Sequence, residues 1–177
     1  MHTRRVEVDV EDCGRVHLLD EEYHRAAGDT DDSTPRSLGS LIRVEGGVVD
    51  LGIALQWGEV PFTVTVSDQD PGADLDGYED VAEASFESPT GRVFLLGWCM
   101  DFYEEKVARL PPLPAGPGTY RLRYHVRGMD EERYLADDHY LQIWPAPRHA
   151  PAVLKSTSEC CRYLLDPEAW EAATQVS

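Results

Sequence analysis

Basic side chains are scarce in this sequence. Its 177 residues carry 16 lysines and arginines against 33 aspartates and glutamates, for a formal net charge of -17 and a pI near 4.6. A field of that sign repels nucleic acid, whose binding depends on cationic side chains that displace phosphate counterions. It also repels anionic membrane surfaces. It attracts cations and basic proteins, and it keeps a chain in solution. A long hydrophobic run is missing as well. The longest, Val93 to Met100, is far too short to span a bilayer. Met1-His2-Thr3-Arg4-Arg5 leads straight into alternating valine and acid, without the apolar core of a signal peptide. A cytoplasmic location is therefore expected, with Cys13, Cys99, Cys160 and Cys161 reduced. The adjacent Cys160-Cys161 lacks the two-residue spacer of zinc knuckles and redox sites, and reads as small apolar side chains in a packed segment. Catalytic signatures are missing too: there is no Gly-x-Ser-x-Gly turn, no glycine-rich phosphate loop and no His-Glu-x-x-His. No repeat of fixed period and no long low-complexity tract appears.

What is present is a series of short β patterns. Apolar residues at 42% and aromatics at 9% are ordinary for a globular chain, which excludes disorder throughout. Val6-Glu7-Val8-Asp9-Val10 alternates as a strand with one buried face, and Val16 to Leu19 reads as its return strand after Gly14. Leu38 to Val44, Val48 to Leu55 and Val60 to Val66 follow, the last with Pro61 at its start. Val81 to Glu87 and Arg92 to Trp98 flank Ser88-Pro89-Thr90-Gly91 and read as a hairpin. Lys106 to Leu110 is a short strand candidate before a stiff proline-rich turn. Thr119 to Arg127 alternates strictly, with Tyr120, Leu122, Tyr124 and Val126 on one face and Arg121, Arg123, His125 and Arg127 on the other. His139 to Trp144 closes the series. Ala152 to Leu165 reads as helical in part, and Asp166-Pro167-Glu168 as the start of a further short helix anchored by Trp170. The expected fold is all-β: an antiparallel β-sandwich, Ig-like or jelly-roll-like, over residues 1–150. A helical extension over 151–177 covers a sheet edge or an open end.

Three constellations are candidates for function. Asp74, Asp76, Asp80 and Glu83 partly fit a calcium loop with Gly77 at the bend, although Gly72 offers no side-chain oxygen at the first ligand position and a strand precedes the loop. His125 and His139 flank one loop. The register that matches apolar faces sets Tyr124 opposite Leu141, Leu122 opposite Ile143, Val126 opposite His139 and His125 opposite Tyr140, which puts the two histidines on opposite faces and argues against a shared metal. The basic row Arg121, Arg123, His125, Arg127 reads as a charged outer face neutralised by Asp130, Glu131, Glu132, Asp137 and Asp138. What remains is the clustering of acids in connections: Asp20-Glu21-Glu22, Asp29 with Asp31 and Asp32, Asp68, Asp70, Asp74, Asp76, Glu79 and Asp80, and Glu104-Glu105. If such loops converge at one end of a sandwich, they form a negative rim that steers a cationic partner. The expected function is an acidic binding or inhibitory protein, of the immunity or antitoxin kind, for a basic nuclease or toxin. The alternatives are a calcium- or small-ligand-binding β-domain and an enzyme on a jelly-roll scaffold. No cofactor other than calcium is expected, and the pattern leaves the oligomeric state open.

The middle of the chain adds a resemblance. Val60-Pro61-Phe62-Thr63-Val64, then Leu110-Pro111-Pro112-Leu113-Pro114-Ala115-Gly116-Pro117-Gly118-Thr119-Tyr120-Arg121-Leu122, then Tyr140-Leu141-Gln142-Ile143 resemble, in this order, the ComJ-type competence proteins, small acidic inhibitors of a DNA-entry nuclease. The resemblance spans roughly Val60 to Trp144 and implies a nuclease as partner. The acidic insert Asp68 to Asp80 and the cysteine- and tryptophan-containing tail depart from that family. Arginine in excess of lysine, with many Val, Ala, Asp and Gly residues, points to a GC-rich bacterial genome, and an actinobacterial source would fit.

Overall fold

Alternation of valine and charge makes the first strand and decides which side of it is buried. In the computed structural model, which describes residues 1–11, 14–22, 41–97, 106–131 and 138–166, Val6, Val8 and Val10 face the core while Glu7 and Glu11 face out. The same period-two logic runs through the elements β1 (His2–Glu11), β2 (Arg15–Asp20), β3 (Ile42–Glu45), β4 (Val48–Gly52), β5 (Trp57–Val66), β6 (Asp80–Ser88), β7 (Val93–Gly97), β8 (Ala108–Arg109), β9 (Gly118–Arg127), β10 (Asp138–Pro145) and β11 (Ala152–Ser156), followed by the helix α1 (Glu159–Leu165). The strands form two sheets, in the orders β1-β5-β10-β9-β6-β11 and β3-β4-β2-β7-β8. The all-β two-layer fold with a short helix near the C-terminus is thus as expected. One apolar cluster lies between the layers, drawing Val8, Phe62, Tyr120, Leu122, Tyr124 and Leu141 from one sheet and Val16, Leu18, Val49, Leu51 and Leu95 from the other. Each such side chain contributes about 1.5–3 kcal/mol by leaving water. The Tyr124 hydroxyl ties the layers together, donating to the Gly52 carbonyl at 2.9 Å and lying 2.6 Å from His139 Nδ1.

The expected β9–β10 register is found pair for pair, with Tyr124 opposite Leu141, Leu122 opposite Ile143 and His125 opposite Tyr140. His139 accordingly stacks on Phe62 inside the core, 4.9 Å between ring centroids, while His125 lies on the other face. Pro61 lies within a longer strand than expected, at a point where β5 pairs with β1 alone, since β10 joins only from Phe62 onward.

Four expectations require correction. β1 and β2 are not a hairpin, nor are β6 and β7; each pair crosses from one sheet to the other. A one-faced apolar pattern does not distinguish a neighbour in the same sheet from a partner across the core, so both pairs look alike in sequence. The β6–β7 corner is held by Asp20, 0% exposed, whose carboxylate accepts from Ser88 Oγ, from Thr90 N at 3.2 Å and from Thr90 Oγ1 at 3.0 Å. Gly91 is required there: its φ is 71°, and a Cβ would stand 2.6 Å from the Gly116 carbonyl carbon. The large sheet is not wholly antiparallel, because β10 runs parallel to β5, with His139 opposite Phe62 and Ile143 opposite Val66. The extension beyond residue 150 is not helical throughout, since Ala152–Ser156 forms the edge strand β11 against β6. The open hydrogen-bonding edge of β6 outweighs the helix preference of Ala-Val-Leu-Lys. Finally, Arg121, Arg123 and His125 of the basic row of β9 are buried, and Arg127 alone of the row is exposed.

The helix begins where Ser158 caps it, accepting from Cys161 N at 3.0 Å, while the Asp130 carboxylate accepts from Glu159 N at 2.7 Å and Cys160 N at 2.8 Å. Cys161 fills the core as a small apolar side chain, and burial pushes its thiol up to about 12. Asp166 closes the helix at its C-cap, and the proposed helix start at Pro167–Glu168 lies outside the described residues, as do Trp170, Cys13 and Cys99.

Candidate functional site

The outer face of the large sheet concentrates the chemistry of this chain. Strict alternation on β9 sends Arg121, Arg123, His125 and Arg127 to that face. Arg121 and Arg123 are each only 6% exposed and His125 is 0% exposed. The cover is the acidic connection itself. Residues 68–79 fold back as a strap over β9 and β10 instead of projecting as a solvated rim. Asp70 grips the Arg123 guanidinium from two sides, at 2.8 and 3.0 Å, and the guanidinium holds the Asp70 carboxyl below the usual carboxylate range. The Gly72 carbonyl accepts from Gln142 Nε2 at 2.9 Å, and Asp74 N donates to His125 Nε2 at 3.3 Å. Lys155 on β11 donates to the carbonyls of Leu75 at 2.7 Å and Tyr78 at 2.6 Å. Tyr78 ends the strap with its ring 5.2 Å from His125, under the Arg127 guanidinium, and burial pushes its phenol up to about 12.

Beneath the strap the cations are paired. Glu83 on β6 receives Arg123 Nε at 2.6 Å and Arg121 Nε at 3.0 Å. The Arg123 guanidinium also lies over the Trp144 ring, 4.7 Å from its centroid. Arg121 reaches Ser85 Oγ and the His149 carbonyl, both at 3.2 Å, beneath the segment that leaves β10. Arg127 meets Asp138 at 2.5 Å, directly across the ladder. Of the acids expected to neutralise the row, Asp138 does so, joined by Asp70 and Glu83; Asp130 accepts from the helix amides instead, and Glu132 and Asp137 lie outside the described residues.

Three of the four residues in the calcium expectation have other partners within the fold. Asp80 is 0% exposed and is used inside the fold, accepting from Thr157 N at 2.8 Å, Ser158 N at 3.1 Å and Ser158 Oγ at 2.5 Å. Glu83 belongs to the two arginines, and Asp74 accepts from the Gly77 amide at 2.8 Å, so only Asp76 of the four shows no such tie. Among the described residues, no group of three or more His, Cys, Asp or Glu side chains stands together to hold a metal ion. Asp68, Asp70, Asp74, Asp76 and Glu79 lie along the strap and are exposed, with Asp68 3.6 Å from the N-terminal amine. Asp80 does not join them. Asp29, Asp31, Asp32, Glu104 and Glu105 lie outside the described residues.

The chain is similar to two solved structures. One is described as "Crocagin biosynthetic gene J", with a TM-score of 0.55 and 18% identity over 83% of this chain and 100% of that one. The other is ComJ, inhibitor of the DNA degrading activity of NucA, from Bacillus subtilis, with a TM-score of 0.48 and 12% identity over 81% of this chain and 96% of that one. The first shows the fold. No family model and no curated protein matches the chain.

Sequence reasoning missed a second acidic surface. On β1 and β5 the outward residues Glu7, Asp9 and Glu11 lie opposite Pro61, Glu59 and Trp57. The signal was available in Val-Glu-Val-Asp-Val, whose polar positions are all acids. What hid it was the pairing partner of β1, which the expected hairpin with β2 had misassigned.

Proposed function

We propose that this chain is an acidic binding protein that occupies the basic surface of a protein partner in the cytoplasm, the partner being a nuclease or toxin. The observation that supports the reading is how the charges are spent. Cationic side chains are matched to the chain's own acceptors: Arg15, His17 and Arg43 on Asp50, Arg92 on Glu21, Lys106 on Asp9, Arg121 and Arg123 on Glu83, and Arg127 on Asp138. The 16 cations cannot match 33 acids, and Glu7, Glu59, Asp68, Asp74 and Asp76 are exposed to solvent. Carboxylates on a rigid β scaffold present fixed negative charge, as phosphates do in a nucleic-acid groove, and they steer a basic partner into contact. The sequence resemblance to inhibitors of a DNA-entry nuclease supports the same class of partner.

Affinity capture from the source organism, followed by reconstitution with the purified candidate, tests this. A basic protein should be retained at low salt, form a complex of fixed stoichiometry by calorimetry, and lose its own activity when bound. Retention of no basic protein, or a complex that leaves a captured nuclease fully active, overturns it.

A further inference from the structure

We infer that the outward face of the β1–β5 ladder, at its Glu11–Trp57 end, is the surface that docks the partner, and that it receives arginine side chains of a basic protein. The inference rests on the binding reading above and assigns it a place.

The register carries the argument. Asp9 stands directly opposite Glu59, with Glu7 and Glu11 on the same outward side of β1. Like charges directly across an antiparallel ladder destabilise it. Elsewhere in the same sheet the chain avoids this: Glu83 is set opposite Arg123, and Asp138 opposite Arg127. At the β1–β5 end no opposite charge stands across the ladder: Lys106 compensates Asp9 from outside the sheet, and Glu7 and Glu59 are left facing solvent. Among the described residues the strap lies over β9 and β10 and not over this end, where Glu7, Trp57 and Glu59 are exposed.

Trp57 specifies the cation. It is 59% exposed and lies opposite Glu11. An indole beside carboxylates is a seat for a guanidinium, which stacks on the ring while donating to the acids. The chain already builds such a seat for itself: Arg123 lies 4.7 Å over Trp144 while bonding Asp70 and Glu83. The β1–β5 end repeats those components, one tryptophan with flanking carboxylates, on the outside. Lys106, whose Nζ is 2.6 Å from Asp9, shows that this edge holds a cation. A second copy of the chain is the wrong occupant, since the same face would meet it with like charge, and nucleic acid is repelled for the same reason.

The test uses a nine-residue peptide of alternating arginine and glycine, and its lysine counterpart, with binding read by calorimetry at low salt. The variants are Trp57→Ala, the pair Glu7→Gln with Glu59→Gln, and, as a charge-matched control, the pair Asp68→Asn with Asp76→Asn. Trp57→Ala and the β1–β5 pair should weaken arginine-peptide binding about tenfold, while the strap pair changes it less than about twofold, as for a focused hot spot. The arginine peptide should bind more tightly than the lysine peptide, and Trp57→Ala should erase that difference. Equal loss in both charge pairs means that net charge alone binds the peptide; it overturns the surface and leaves the acidic-binder reading intact. A melting temperature that falls in the Glu7→Gln, Glu59→Gln pair also overturns it, because those carboxylates would then be serving the sheet.

Discussion

The imidazole of His125 holds the strap through a lone pair. Its Nδ1 lies 3.2 Å from the Tyr140 carbonyl, which can only accept, so Nδ1 carries the proton and Nε2 is left to accept from Asp74 N. Burial, the largest influence, lowers its pKa below the ordinary 6.5, and Arg123 adds to the effect. The Tyr140 carbonyl, Asp74 and Glu83 oppose it, with the Tyr78 and Tyr140 rings on either side. The folded state therefore binds this proton less readily than the unfolded chain. The stability it gives is complete above pH 6.5 and declines as the pH falls from there toward the lowered value. His125→Gln, whose amide oxygen can accept from Asp74, should show a smaller drop in melting temperature between neutral pH and about pH 5 than the natural chain does. Equal drops would mean that other groups set the acid limit.

At the scale of elements, the tail depends on Asp80. One buried carboxylate at the start of β6 receives the Thr157 and Ser158 amides and the Ser158 hydroxyl, and so joins β11 and α1 to the sheet. Asp80→Ala removes a charged acceptor and leaves those buried donors unsatisfied, which should cost roughly 2–4 kcal/mol in urea unfolding. Hydrogen exchange should rise first in residues 152–165. Loss spread evenly over both sheets would show that Asp80 does not anchor the tail. The same elements show what the sequence could and could not tell. Strands bearing a full apolar row, such as Tyr120–Leu122–Tyr124–Val126, were legible together with their register, because a slip of one residue would turn that row to water. β11 was not legible: Ala-Val-Leu-Lys has no row to protect, and an open edge elsewhere decided its state. The strap was misread for a related reason. Acid-rich, glycine-containing segments look solvated, and only the buried arginines opposite it reveal that Asp70 is half of an ion pair.

Over the whole molecule, the net charge of -17 was legible in composition, but its distribution was not. Pairing of β1 with β5 created the acidic face at Asp9 and Glu59, and pairing of β6 with β9 removed another at Glu83. The uncompensated surplus repels itself, and salt screens exposed charges over about 10 Å at 0.1 M. Raising sodium chloride from about 0.05 M to about 0.5 M should therefore raise the melting temperature by a few degrees. Salt should meanwhile weaken partner binding, so stability and affinity should move in opposite directions. A melting temperature that falls with salt would show that attractive ion pairs outweigh the repulsion.

The parallel β5–β10 pair sets an order on how the chain can be assembled. β10 is inserted between β5 and β9, so the early strands β1 and β5 and the later strands β6 and β9 meet only through it. During synthesis the large sheet stays in two pieces until residue 145 has left the ribosome, and until then β5 and β9 each keep an open hydrogen-bonding edge. Any fragment that stops short of β10 is left with two half-sheets that can pair with other chains.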